Sequence, residues 1–244
     1  MMNKELVADI RESKQQPLIA IIGATVPTEG YGRGIGIEVG HLLRKHIEPR
    51  NGTIFTGGVD GVGIDAYIGV MKYCIDSLKN TPGKKISEDR FFVLVPEFDY
   101  IPMSQDLFEG GGYRIVPFEV SKAYRTLGAF SARGELDVVI AGKDMEERRD
   151  YLVRVADVVI VINGGPGTLN EAVNALRNDK PVIALACSGG TASILSSVKD
   201  SFCAATNMPQ GIPSTSSIKK INTDLIYVAS STSDILRHMK ALHF

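Results

Sequence analysis

Asp157-Val158-Val159-Ile160-Val161-Ile162-Asn163-Gly164-Gly165-Pro166-Gly167-Thr168-Leu169-Asn170-Glu171 is the stretch that decides the fold. Its first half is continuously apolar and rich in Val and Ile, as a strand covered on both faces must be. Three glycines in four positions follow, and a segment of helical spacing begins directly after them. Strand, glycine turn and helix in immediate succession form the βα half of a parallel-sheet unit. Glycines without Cβ let backbone amides approach an anion closely, and Thr168 is expected to cap the helix and present its hydroxyl at the positive helix end. A small phosphorylated ligand is the expected occupant of Gly164, Gly165, Gly167 and Thr168. The alternative reading is a tight turn with no ligand.

The same pattern repeats outward along the chain. Leu18 to Ile22, Phe91 to Val95 and Pro181 to Ala186 are further continuous apolar runs, with weaker ones at Thr53 to Thr56, Val138 to Ile140 and Leu225 to Val228. Between them, helical spacing covers Ile37 to Ile47, Ile64 to Leu78, Glu146 to Ala156, Leu169 to Leu176, Ala192 to Val198 and Asp234 to Leu242. This alternation predicts an α/β fold, Rossmann-like and doubly wound, with a mostly parallel sheet flanked by helices on both faces. Two more glycine turns follow strands: Gly23-Ala24-Thr25, and Thr56-Gly57-Gly58-Val59-Asp60-Gly61-Val62-Gly63. Their convergence on one sheet edge would make Gly23, Ala24, Gly57, Gly58 and Gly61 further nucleotide-binding positions.

Gly61, Gly63 and Ala66 formally satisfy a G-x-G-x-x-A dinucleotide fingerprint, yet no acidic residue ends the next strand to hold a ribose. The phosphate-loop sequence GxxxxGK[ST] is absent. Nicotinamide-dependent dehydrogenases and P-loop nucleotidases are therefore not expected.

The 244 residues balance 27 Lys+Arg against 28 Asp+Glu, so no basic excess points to nucleic acid or an anionic membrane. A single domain over residues 1–244 is expected, with an amino-terminal arm (1–16) and a divergent, aromatic-rich segment (81–134) whose purpose is open between a ligand wall, an oligomer contact and packing. Cys74, Cys187 and Cys203 show no metal-ligand spacing and read as core thiols in a reducing compartment. No metal is expected. The polar amino terminus lacks the apolar stretch of a signal peptide, no run is long enough to span a bilayer, and a cytoplasmic location is expected. Ser188-Gly189-Gly190-Thr191 reads either as a hydroxyl at the pocket rim or as an ordinary helix start.

Asp144-Met145-Glu146-Glu147-Arg148-Arg149, taken with Gly164-Gly165-Pro166-Gly167-Thr168-Leu169-Asn170-Glu171, resembles the LOG family of phosphoribohydrolases within the SLOG nucleotide-binding superfamily. That family, long mislabelled "possible lysine decarboxylases", carries a PGGxGTxxE motif preceded by a methionine-led segment with an arginine. The resemblance runs from about Asp144 to Ala186, with Asn163 standing where the motif has proline. It implies that Glu171 and Arg148 are the catalytic carboxylate and arginine, that no cofactor is needed, and that the chain forms a homodimer. The implied reaction cleaves a nucleoside 5'-monophosphate to free base and ribose 5-phosphate. The wider superfamily also holds sensors and carriers that bind without hydrolysis, and that alternative stays open. So do two local alternatives: Thr168-x-x-Glu171 has the spacing of a capping box, and Arg148 could form surface ion pairs with Glu146 or Glu147.

Overall fold

A computed structural model describes residues 4–26, 31–57, 61–80, 91–96, 101–102, 113–114, 137–205 and 221–244. In chain order these form α1 (Lys4–Ser13), β1 (Leu18–Gly23), α2 (Arg33–Ile47), β2 (Thr53–Thr56), α3 (Val62–Asn80), β3 (Phe91–Val95), β4 (Ile101–Pro102), β5 (Tyr113–Arg114) and β6 (Asp137–Ile140). There follow α4 (Met145–Val155), β7 (Val158–Ile162), α5 (Pro166–Arg177), β8 (Val182–Leu185), α6 (Gly190–Ala205), β9 (Ile226–Ala229) and α7 (Thr232–Ala241). Among the described residues, seven strands build one parallel sheet in the order β6-β3-β2-β1-β7-β8-β9, and β4 pairs with β5 in a separate two-residue antiparallel ladder. The expected Rossmann-like, doubly wound sheet is therefore present. Apart from β3, Pro96 and the β4/β5 ladder, the aromatic-rich segment lies outside the described residues.

The chain builds outward from β1 to the β6 edge, then returns through α4 to lay β7 against the other side of β1. This is the reversal of strand order at which a parallel sheet opens a crevice. Alternate side chains of each central strand enter opposite cores. Ile19, Ile21, Val158, Ile160, Ile162, Ile183 and Leu185 pack under α2, α3 and α7. Leu18, Ala20, Ile22, Val159, Val161, Val182 and Ala184 pack under α1, α4, α5 and α6. Both faces are covered, which explains why these strands read as unbroken apolar runs.

Residues read as a polar arm form α1, which sits on the sheet through Ile10. Arg11 donates to Asp157 Oδ1 (2.8 Å) and to the Val155 carbonyl (2.6 Å). The second oxygen of Asp157 accepts the Leu18 amide at 2.8 Å, so one carboxylate aligns α1 and the start of β1 against β7. His46 and His238 bond to the carbonyls of Phe244 and Val228 (both 2.9 Å). The reading of core thiols holds for buried Cys74 and fails for Cys187, which is exposed in the short turn after β8; the Cys203 side chain lies outside the description. No helix among the described residues is long and apolar enough to cross a membrane.

Helices α2 and α3 approach backbone to backbone. A Cβ at Gly40 would strike the Ala66 carbonyl, and one at Gly69 would strike the Ile37 carbonyl and come within 2.8 Å of the His41 nitrogen. Helix propensity alone makes Gly→Ala stabilising by about 0.5–1 kcal/mol. Packing reverses the sign here: Gly69→Ala is expected to lower the unfolding free energy by about 1–3 kcal/mol, read from its urea midpoint.

Candidate functional site at the strand reversal

The glycine turns after β1, β2 and β7 meet at the carboxyl edge of the sheet. Gly23 ends β1 so close to β7 that a Cβ would strike the Ile162 carbonyl and lie 2.7 Å from the Val62 side chain. Gly61, at φ +56°, lies against the Ala24 carbonyl and within 2.6 Å of the Thr25 carbonyl at a notional Cβ. The Val62 amide donates to the Ala24 carbonyl at 3.1 Å, joining the first two turns. Gly57 presents its bare face to Arg148 Nη1 and Leu152. Gly58 lies outside the described residues.

Beyond β7, the turn is built differently from its sequence reading. Gly165, not Thr168, is the cap residue of α5, and no side chain caps the helix. Pro166 occupies the first helical position, as its fixed φ and missing N–H favour, which places Thr168 third and buried within the first turn. The expected Thr168 cap is thus corrected. The first-turn amides of Gly167 and Thr168 have no acceptor inside the helix. Among the described residues, nothing lies within 4 Å of where a Gly165 Cβ would stand. Gly164, at φ +109°, packs against the Thr168 side chain.

Asn163 explains the chain's departure from the proline of the family motif. Its φ is +55°, where proline's ring, locked near about −65°, cannot go. Its buried amide donates to Ser188 Oγ (2.6 Å), its Nδ2 donates to the Ser188 carbonyl (2.6 Å), and Ser188 Oγ donates to the Leu185 carbonyl (2.6 Å). Thr191 adds an amide bond to the Gly164 carbonyl (2.8 Å) and a hydroxyl bond to the Gly165 carbonyl (2.9 Å). The Ser188–Thr191 turn therefore braces the loop from behind. Of the two sequence readings of this segment, the helix start holds, since α6 begins at Gly190, while the Ser188 hydroxyl is buried inside the turn's own support and not at a pocket rim.

Arg148 and Glu171 come together in the same place. Arg148 Nη1 donates to Glu171 Oε1 at 2.8 Å, with side-chain exposures of 5% and 7%. This geometry excludes both bland readings: Glu171 is not turned back in a capping box, and Arg148 is not a surface partner of Glu146 or Glu147. Asp144 instead caps α4, accepting the amides of Glu146 and Glu147 at 3.0 and 2.9 Å. The cap places Arg148 in the first turn of α4, and its guanidinium crosses to α5. Its Nε is buried without a hydrogen-bond partner among the described residues. Arg149, to which sequence reading gave no role, lies beside the pair with Nε 4.0 Å from Glu171 Oε1. Nothing in its spacing distinguished it. No group of three or more His, Cys, Asp or Glu side chains suited to a metal gathers among the described residues.

Two stability predictions follow from this arrangement. Glu171→Ala strands a buried guanidinium and is expected to cost about 3–5 kcal/mol in urea unfolding, with Glu171→Gln losing less. A loss below about 1 kcal/mol for the alanine variant would mean the pair behaves as a solvated one. Asn163→Pro, which restores the motif residue, is expected to destabilise by about 3 kcal/mol or more because it removes the N–H and forbids the observed φ; an unchanged urea midpoint would contradict the φ assignment.

Comparison with known proteins gives the same architecture. The family model described as "LDcluster4: SLOG cluster4 family" matches residues 115–220, which include β6 through α6. No curated protein sequence matches the chain significantly. Among solved structures, the structural-genomics target TM1055 superposes with a TM-score of 0.54 at 21% identity, covering 93% of this chain and 99% of that one. DNA processing protein A from Helicobacter pylori, described for its single-stranded DNA binding mode, gives 0.51 at 16% identity over 98% and 85% of the two chains. The molybdenum cofactor binding protein of Rippkaea orientalis gives 0.51 at 18% identity over 94% and 99%. At such identities the likeness is one of fold.

Proposed function

We propose that this protein hydrolyses the N-glycosidic bond of a nucleoside 5'-monophosphate, releasing the free base and ribose 5-phosphate. The observation that carries the reading is the buried Arg148–Glu171 pair, set against Gly57 and beside the amide-lined turn of α5. The family resemblance adds the roles, and the SLOG cluster4 match over 115–220 supports the superfamily.

Each part has a physical task. The first-turn amides and positive end of α5 receive the phosphate, as helix N-termini do. The open face at Gly165 lets that group approach the backbone. As the bond between C1' and the base nitrogen breaks, its electron pair leaves with the base and positive charge grows on the ribose. Glu171 stabilises that charge, orients a water towards C1' and takes its proton as the new C–O bond forms. The departing base nitrogen acquires a proton. Arg148, charged throughout, holds Glu171 in place and offers its remaining donors to ribose or base oxygens. Water is the only co-substrate, so the reaction calls for no cofactor.

The test is a panel of purine and pyrimidine nucleoside 5'-monophosphates incubated with wild type and with Glu171→Gln, free base being detected by chromatography and mass. Base release by wild type, reduced at least about 100-fold in the variant, is the expected result. A nucleotide that raises the melting temperature with no base released would overturn hydrolysis in favour of a nucleotide-binding carrier or sensor.

A further inference from the structure

The sheet ends at β9, and the sequence of that strand carries the hazard of an open edge. Leu225-Ile226-Tyr227-Val228-Ala229-Ser230 holds no charge, proline or glycine and is rich in β-branched and aromatic side chains, a composition that pairs readily with another strand. Among the described residues, β8 covers one side of β9 and no strand covers the other. Carbonyls of β9 are nevertheless taken up by side chains. Lys199 of α6 donates its ammonium to the Ile226 carbonyl. His238 of α7 meets the Val228 carbonyl at 2.9 Å, and since a carbonyl can only accept, Nε2 carries the hydrogen. Ile226 and Val228 are two apart in an extended strand, so their carbonyls point to the same edge. Helix α6 packs on one face of the sheet and α7 on the other, so the two donors arrive from opposite faces. Tyr227, whose ring packs with the α7 face, lies 5.5 Å from Lys199 Nζ and 5.5 Å from the His238 ring. A lysine rooted on the α6 face reaches that ring by passing round the rim of the sheet, which puts both capped carbonyls on the side that β8 leaves open.

We infer that Lys199 and His238 guard the β9 edge, filling the carbonyl positions through which the β9 of a second copy would otherwise extend the sheet. Strand addition draws its affinity from main-chain hydrogen bonds, and a carbonyl already held by a side chain of its own molecule must first be released. Two copies meeting at this edge about a two-fold axis would set β9 antiparallel to β9 and join two seven-stranded sheets into one. Lys199 opposes that in two ways: its hydrogen bond is charge-assisted, and its charge stands where the second copy would bring a like charge. The guard uses no residue of the crevice, so it stands or falls apart from the proposed hydrolysis.

Light scattering on the full chain, paired with hydrogen exchange of the peptide spanning β9, provides the test. Lys199→Met combined with His238→Phe removes both donors at similar volume. That chain is expected to show an apparent mass at least about twofold above wild type at equal concentration, with exchange across β9 slowed about 10-fold. Lys199→Arg combined with His238→Gln keeps both donors and should match wild type. Lys240→Met, an equal loss of charge at an exposed position of α7, should match it too. If the first double variant fails to fold by circular dichroism, Lys199→Met alone decides by the same two readouts. A folded variant without the donors that keeps the wild-type mass, or one that associates while β9 exchanges as fast as before, would overturn the guard. Equal association by the donor-keeping variant or by Lys240→Met would overturn it as well.

Discussion

An arginine and a glutamate meet at 2.8 Å with almost no water around either, and the functional edge of the sheet is arranged about that contact. Removing two charges from water costs several kcal/mol each, so such a pair persists only where geometry and further hydrogen bonds repay it. Among the described residues the repayment is incomplete, since Arg148 Nε has no hydrogen-bond partner there. Apolar residues of similar volume would fill the space between α4 and α5 at less electrostatic cost. Under the proposed hydrolysis, retaining the pair prepares for chemistry: the carboxylate would be held in one orientation before substrate arrives, with little reorganisation during the reaction.

The backbone makes room for this arrangement through close approach. The guanidinium needs Gly57 bare, β1 needs Gly23 to pass β7, and the turn after β7 needs Gly164 and an asparagine in the left-handed region. Strand reversal brings these turns together. Since β7 lies beside β1 although more than a hundred residues separate them, turns from both halves of the chain share one crevice.

Much of this was legible in the sequence, and the limits are instructive. Continuous apolar runs such as Val158 to Ile162 declared doubly covered strands because parallel sheets with helices on both faces leave no wet side. The three glycine turns were visible because close backbone approach leaves a compositional trace. Arg148 and Glu171 were found through the resemblance; their spacing alone also fitted a helix cap and a surface pair. Thr168 was misread because proline at the first helical position displaces the cap one residue before it, to Gly165. Arg149 was missed, and the bracing role of Ser188 with it, for a different reason: their partners, Gly167 and Asn163, are distant in sequence and linked only by tertiary geometry. Gly40 and Gly69 belong to the same class, since a glycine in a helix looks like a weakness until the opposing helix is seen.

That helix contact has a mechanical consequence. With no side chains between their backbones at Gly40 and Gly69, α2 and α3 lack the cushion of rotamers that lets packed helices slide past one another. They form one stiff body. α2 springs from the turn after β1 and α3 from the turn after β2, and the two turns are themselves joined by the Val62 to Ala24 hydrogen bond. Any tilt that widens one side of the crevice therefore carries the other with it, so this wall behaves as a single lever rather than as two independently adjustable loops.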